Sequence, residues 1–138
     1  PFTKTALFQW RLPKRGDVVA FTRQDDPSTA DRDESSSSSI SRVIGLPGEI
    51  VEVRDRTVYI NNEIYPEPYE LIWLQGERGW YKPVKVPPGH VFVMGDNRDK
   101  SNDSRFWRTG PFLMTDRILG KVIAVNPEWN SSLDSENG

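Results

Sequence analysis

Residues 49–65 read EIVEVRDRTVYINNEIY. Apolar and polar residues alternate along this stretch, so Val51 and Val53 fall on one strand face, as do Val58 and Ile60. A helix cannot use such a pattern, because a period of two scatters apolar side chains around its axis. Asp55 and Arg56 separate the two runs and form a hairpin tip, although glycine suits a primed turn better there. Asn61 and Asn62 start a second reversal. A chain with this stretch in its middle is committed to antiparallel β structure.

The flanking sequence agrees. GDVVAFT (residues 16–22) reads as a buried strand after a Pro-Lys-Arg-Gly turn. In ISRVIGLPG, Ile40, Val43 and Ile44 favour a strand, and Gly45-Leu46-Pro47-Gly48 ends it in a turn. HVFVMGD (90–96) is another apolar strand, and DRILGKVIAV (116–125) supplies the last one. Residues 67–89 are aromatic and proline-punctuated and read as an excursion from the sheet, with a short helix near 69–74. DSRFWRTG (103–110) reads as a single helical turn. Residues 23–39 are polar, charged and serine-rich and read as a mobile loop, and residues 126–138 as a polar, fraying tail. A length of 138 residues suits one domain, and 11 Pro and 10 Gly suit many turns. The expected fold class is mostly β: antiparallel sheets and hairpins with long loops and little helix.

Composition narrows the function. The net charge is −2 and no run is strongly basic, which argues against a nucleic-acid partner. There is no Cys, hence no disulfide and no thiolate metal site, and the single histidine, His90, argues against a histidine zinc site. No apolar run approaches the roughly 18 residues that span a bilayer. No cofactor is expected.

The densest polar stretch is MGDNRDKSNDSRFW (94–107), directly after an apolar strand. Its Asp, Asn and Ser side chains suit local turns, and Arg98 and Arg105 can clamp carboxylates bidentately. Alternating Asp and Asn could also ligate calcium, but the loop lacks the spaced Gly and closing Glu of an EF-hand, and its arginines oppose a cation.

Three blocks, in order, resemble the type I signal peptidases, the membrane-anchored serine proteases that remove signal peptides from exported proteins. PKRGDVVAF resembles the family's Gly-Asp strand. SRVIGLPGE resembles the block Lys-Arg-Val-x-Gly-Leu-Pro-Gly-Asp, and GDNRDKSNDSRFW the block Gly-Asp-Asn-x-x-x-Ser-x-Asp-Ser-Arg. The resemblance runs over residues 13–125 and implies a signal-peptidase-type β domain with a Ser–Lys dyad. In such a dyad a buried lysine of lowered pKa takes the serine proton.

Residue by residue, the resemblance puts Ser41 at the general-base position, where the family has Lys. Ser101 falls at the base-orienting position. Arg42 with Asp96, and Asp103 with Arg105, match supporting ion pairs. Ser39 and Ile40 match the edge that meets the substrate backbone. Arg108 stands where the family often has Gly. The family's nucleophile stands in a Ser-x-Met-x-Pro segment next to the membrane anchor, and no such segment occurs in these residues, so the nucleophile is expected to be absent from the chain. A neutral serine hydroxyl is a very poor base near pH 7, so the chain is expected to be inactive alone.

The resemblance thus implies an extracytoplasmic β domain without its N-terminal membrane anchor, soluble as given. Expected partners are signal peptides or other exported polypeptides, the membrane through the missing anchor, and a second copy through an exposed sheet edge. The alternative is a non-enzymatic pseudo-peptidase that binds exported proteins or assists their assembly.

Overall fold

A computed structural model describes residues 12–23 and 38–123. Its strands form two antiparallel sheets. The first contains β1 (Val18–Thr22), β2 (Ser38–Gly45), β7 (His90–Met94), β8 (Leu113–Met114) and β9 (Ile118–Val122), in the order β8-β7-β2-β1-β9. The second contains β3 (Ile50–Arg54), β4 (Thr57–Ile60), β5 (Glu63–Ile64) and β6 (Tyr81–Lys85), in the order β5-β4-β3-β6. The mostly-β expectation therefore holds.

β2 and β7 are the wall between two cores. Val43 and Val93 pack with Val19 and Phe21 on one side, whereas Ile44, Phe92 and Met94 pack with Val51, Val53 and Val58 on the other. Burial on both faces explains why HVFVM reads as an unbroken apolar run, while β3 and β4 alternate. Gly45 lets the chain pass between the cores: a Cβ there would lie 2.3 Å from a Val51 methyl and 3.2 Å from Phe92 and Val86. The following turn is pinned by Glu49, whose carboxylate accepts the Leu46 amide at 2.7 Å and pairs with Arg15.

Both reversals read from the sequence are present. Asp55 and Arg56 carry φ of 44° and 60°, and Asn61 and Asn62 carry 52° and 68°. The first tip is thus a primed turn built without glycine, with Arg54 facing Thr57 across it.

Other expectations need correction. No helix forms at residues 69–74. Ile72 instead makes a parallel bridge to Asn97, its amide donating to the Asp96 carbonyl at 3.0 Å and its carbonyl accepting the Arg98 amide at 2.7 Å. Pro66 and Pro68 bias their predecessors to extended backbone, and the neighbouring loop then takes the hydrogen bonds a helix would need. A 3-10 turn lies further on, at Gly76–Arg78. The excursion also contains β6, hidden in the sequence by Pro83; a proline is tolerated because β6 is an edge strand. Residues 103–106 make one turn, closed by the Phe106 amide on the Asp103 carbonyl at 2.9 Å, but no helix. Strand β2 starts at Ser38, so Ser38 and Ser39 belong to the sheet and not to the expected loop. The rest of that loop, residues 24–37, and the tail at 126–138 lie outside the described residues.

Candidate functional site

The site is organised by a change of pairing along β2. Residues 38–42 face β1, with Ile40 opposite Ala20 and Ser41 opposite Val19. The ladder to β7 begins only at Arg42, opposite Met94. Among the described residues, the other edge of residues 38–41 therefore carries no strand. Unpaired backbone groups of this kind can take up an extended peptide by strand addition.

Ser39 and Ile40 lie on this one-sided segment, and Ile40 is 64% exposed. Ser41 is buried, on the same strand face as Val43. Among the described residues its hydroxyl has no side-chain hydrogen-bond partner.

Arg42 points the other way. Its guanidinium meets Asp96 in a two-pronged pair at 2.9 and 2.6 Å, donates to the Gly16 carbonyl at 2.8 Å, and stacks its carbon 3.8 Å from the centre of the Tyr69 ring. The Asp96 hydrogen bond is the main reason the Arg42 pKa is raised above its ordinary value.

Asp103 anchors residues 95–107. One carboxylate oxygen accepts the Gly95 amide at 2.9 Å, the Ser101 hydroxyl at 2.7 Å and the Arg105 guanidinium at 2.9 Å. The other accepts the Arg105 backbone amide at 3.1 Å and its Nε at 2.9 Å. Both side chains are buried, so the pair is fully satisfied away from water. Ser101 thus gives its proton to Asp103 and keeps its lone pairs for another donor. Gly95 makes this packing possible, since a Cβ there would lie 2.3 Å from the Ser101 hydroxyl oxygen. Gly95 directly follows Met94, so the Asp103 cluster is tied to the β7 position that faces Arg42.

Other polar residues of the site escaped sequence reading. Arg98 does not clamp a carboxylate of its own loop. It is fully buried, donates to the Gly95 carbonyl at 2.7 Å and forks onto Glu67 at 2.6 and 3.1 Å. The Tyr69 hydroxyl donates to Glu67 at 3.0 Å, and burial pushes this phenol well above the ordinary tyrosine range. Asp99 accepts the amides of Leu74 and Gln75, at 2.9 and 3.0 Å. These bonds, that from Gln75 foremost, hold its carboxyl below the ordinary value. Ser104 accepts the Val93 amide at 2.9 Å. No sequence spacing links residue 67 to 98 or 74 to 99; only the charge of the buried arginine hints that a distant carboxylate must exist. Among the described residues, no group of three or more His, Cys, Asp or Glu is placed to hold a metal.

A family model described as signal peptidase, peptidase S26, matches residues 3–127. The chain belongs to the signal peptidase family. Over 100 residues it is 42% identical to signal peptidase I of Bacillus licheniformis, covering 67% of this chain and 48% of that protein. Over 151 residues it is 33% identical to signal peptidase I of Pseudomonas fluorescens, covering 85% of this chain and 50% of that protein. The chain spans roughly half the length of these relatives. A crystal structure of a signal peptidase I from Enterococcus faecalis matches with a TM-score of 0.59 and 31% identity, covering 82% of this chain and 98% of that one. The family to which the chain belongs is one of serine proteases. No helix among the described residues is long and apolar enough to cross a membrane.

Proposed function

We propose that this chain is the β domain with which a signal peptidase I receives the signal peptides of exported proteins, and that with Ser at position 41 it binds them without cleaving them. The observation that carries this reading is the combination on β2: an edge at residues 38–41 that, among the described residues, pairs on one side only, and a buried Ser at position 41. In this reading Ser39 and Ile40 meet the peptide backbone, and Ser101 lies at the position that orients a base. The pairs Arg42–Asp96 and Asp103–Arg105 hold the frame. The domain works on the extracytoplasmic side of a bacterial-type membrane, within a longer membrane-anchored protein. A non-enzymatic pseudo-peptidase that assists exported proteins is the second reading, favoured by the loss of the base at position 41. Pairing of a second copy along β2 residues 38–41, whose outer edge carries no strand among the described residues, is a further consequence.

A fluorescent peptide ending in Ala-X-Ala tests this reading, since signal-peptide cleavage sites follow that pattern. The chain should bind it saturably, and Ile40→Asp should weaken binding at least about tenfold without changing the thermal midpoint, because a charge replaces an apolar contact at the edge. Equal affinity of the two proteins would refute the assignment of the edge. Ser41→Lys should not restore cleavage to the 138-residue chain, in which no Ser-x-Met-x-Pro segment occurs. Recovery of cleavage by that change alone would show that the nucleophile lies elsewhere in the chain.

A further inference from the structure

Among the described residues, 38–41 are held by a neighbouring strand on one edge only, and the first residue of β2 held on both edges is Arg42. Whatever fixes Arg42 therefore fixes the end of the one-sided segment. Arg42 has its donors engaged by Asp96 and the Gly16 carbonyl, and a face covered by Tyr69. Tyr69 is in turn held by Glu67, and Glu67 by the fully buried Arg98. The chain of contacts thus runs from the 95–107 loop through the 67–89 excursion and back to β2.

We infer that Tyr69, oriented by Glu67, is a positioning residue for peptide binding: its ring seals the Arg42–Asp96 pair and so sets the backbone of residues 39–41 for an incoming strand. This inference rests on the reading of β2 as the peptide-facing edge. The Arg42 side chain is 16% exposed and Asp96 39% exposed, so water reaches the pair from the Asp96 side. A ring lying on the guanidinium excludes water from the opposite side and adds a cation–π contact. Without the ring the guanidinium gains freedom to swing. The loss is felt first in residues 38–41, which have one neighbouring strand among the described residues, and not in β3 and β4, whose pairing is independent of Arg42.

Two measurements on the full chain test this. The first is affinity for the Ala-X-Ala peptide. Tyr69→Leu should bind about tenfold more weakly, a loss in keeping with removal of a partly desolvated cation–π contact. Tyr69→Phe keeps the ring but loses the bond to Glu67, and its affinity should fall between wild type and Tyr69→Leu. The second is amide hydrogen exchange. In Tyr69→Leu the amides of residues 39–41 should exchange about tenfold faster, with β3 and β4 unchanged. Should Tyr69→Leu fail to fold, Tyr69→Met keeps apolar bulk without a ring and should show the same local pattern. Wild-type exchange at residues 39–41 in the ring-free variant would overturn the inference. So would a uniform rise in exchange across both sheets with a lowered thermal midpoint, since that is the mark of a merely structural role. If the wild-type chain binds no peptide, the reading of the edge fails, and the exchange experiment still decides whether Tyr69 positions β2.

Discussion

The β3–β4 hairpin and the 95–107 loop both lie close to β2 and β7, yet they are held by opposite means. The hairpin has Val51, Val53 and Val58 buried in an apolar core, and its charged side chains face outward. The loop buries Arg98, Asp99, Asp103 and Arg105; Arg98, Asp103 and Arg105 find partners within the loop, and Asp99 finds its partners at Leu74 and Gln75. Apolar burial is non-directional and degrades gradually when atoms are removed. A buried polar network is directional, and the loss of one member leaves charges stranded. The region that lies beside the proposed peptide edge is the one built from the unforgiving material.

This contrast can be broken by experiment. The largest effect is expected at Asp103. Asp103→Ala strands the Arg105 charge, the Gly95 amide and the Ser101 hydroxyl, and should cost about 3–5 kcal/mol in urea unfolding, as breaking a buried pair does. A loss below that of a hairpin valine would show that the loop network is not what holds the region. Next, Val58→Ala should cost about 2 kcal/mol from lost burial and the cavity left behind. It should leave peptide affinity unchanged, because the hairpin only supports the second core.

A smaller effect of opposite sign is expected at the hairpin tip. Asp55 has φ of 44°, a conformation glycine adopts without strain. Asp55→Gly should therefore stabilise the protein by about 0.5 kcal/mol, read as a rise in the urea midpoint at constant slope.

The smallest effect concerns acid. The carboxyl of Asp99 is held below its ordinary value, chiefly by the Gln75 amide. A depressed folded-state pKa contributes stability that is fully present above the unfolded value of about 3.9 and is lost as pH falls through the folded value. Thermal midpoints of Asp99→Asn should therefore fall less steeply than wild type as pH drops below about 4. Parallel acid limbs would remove Asp99 from the network.

The two regions also differ in how far the sequence reveals them. The hairpin was legible almost to the residue, because period-two alternation and paired turn residues are local signals. Only the tip surprises, with Asp55 and Arg56 taking a turn that favours glycine. The excursion was misread because its structure is decided by distant partners. Ile72 is extended since Asp96 and Arg98 supply its hydrogen bonds, and β6 is a strand despite Pro83 since it lies at an edge. The site was legible in part. Resemblance located Ser41, Arg42, Asp96, Ser101, Asp103 and Arg105, and the geometry shows Arg42 against Asp96, and Ser101 and Arg105 on one Asp103 carboxylate. Glu67 and Tyr69 were invisible, because a carboxylate between two prolines gives no sign of a buried arginine some thirty positions away.

The central claim is that position 41 turns a protease scaffold into a peptide binder. The most direct measurement is to incubate the purified 138-residue chain with a labelled precursor peptide carrying Ala-X-Ala and follow the peptide by mass spectrometry, with binding measured in parallel. The account predicts saturable binding and a peptide that stays intact. Site-specific cleavage after the second alanine would contradict it.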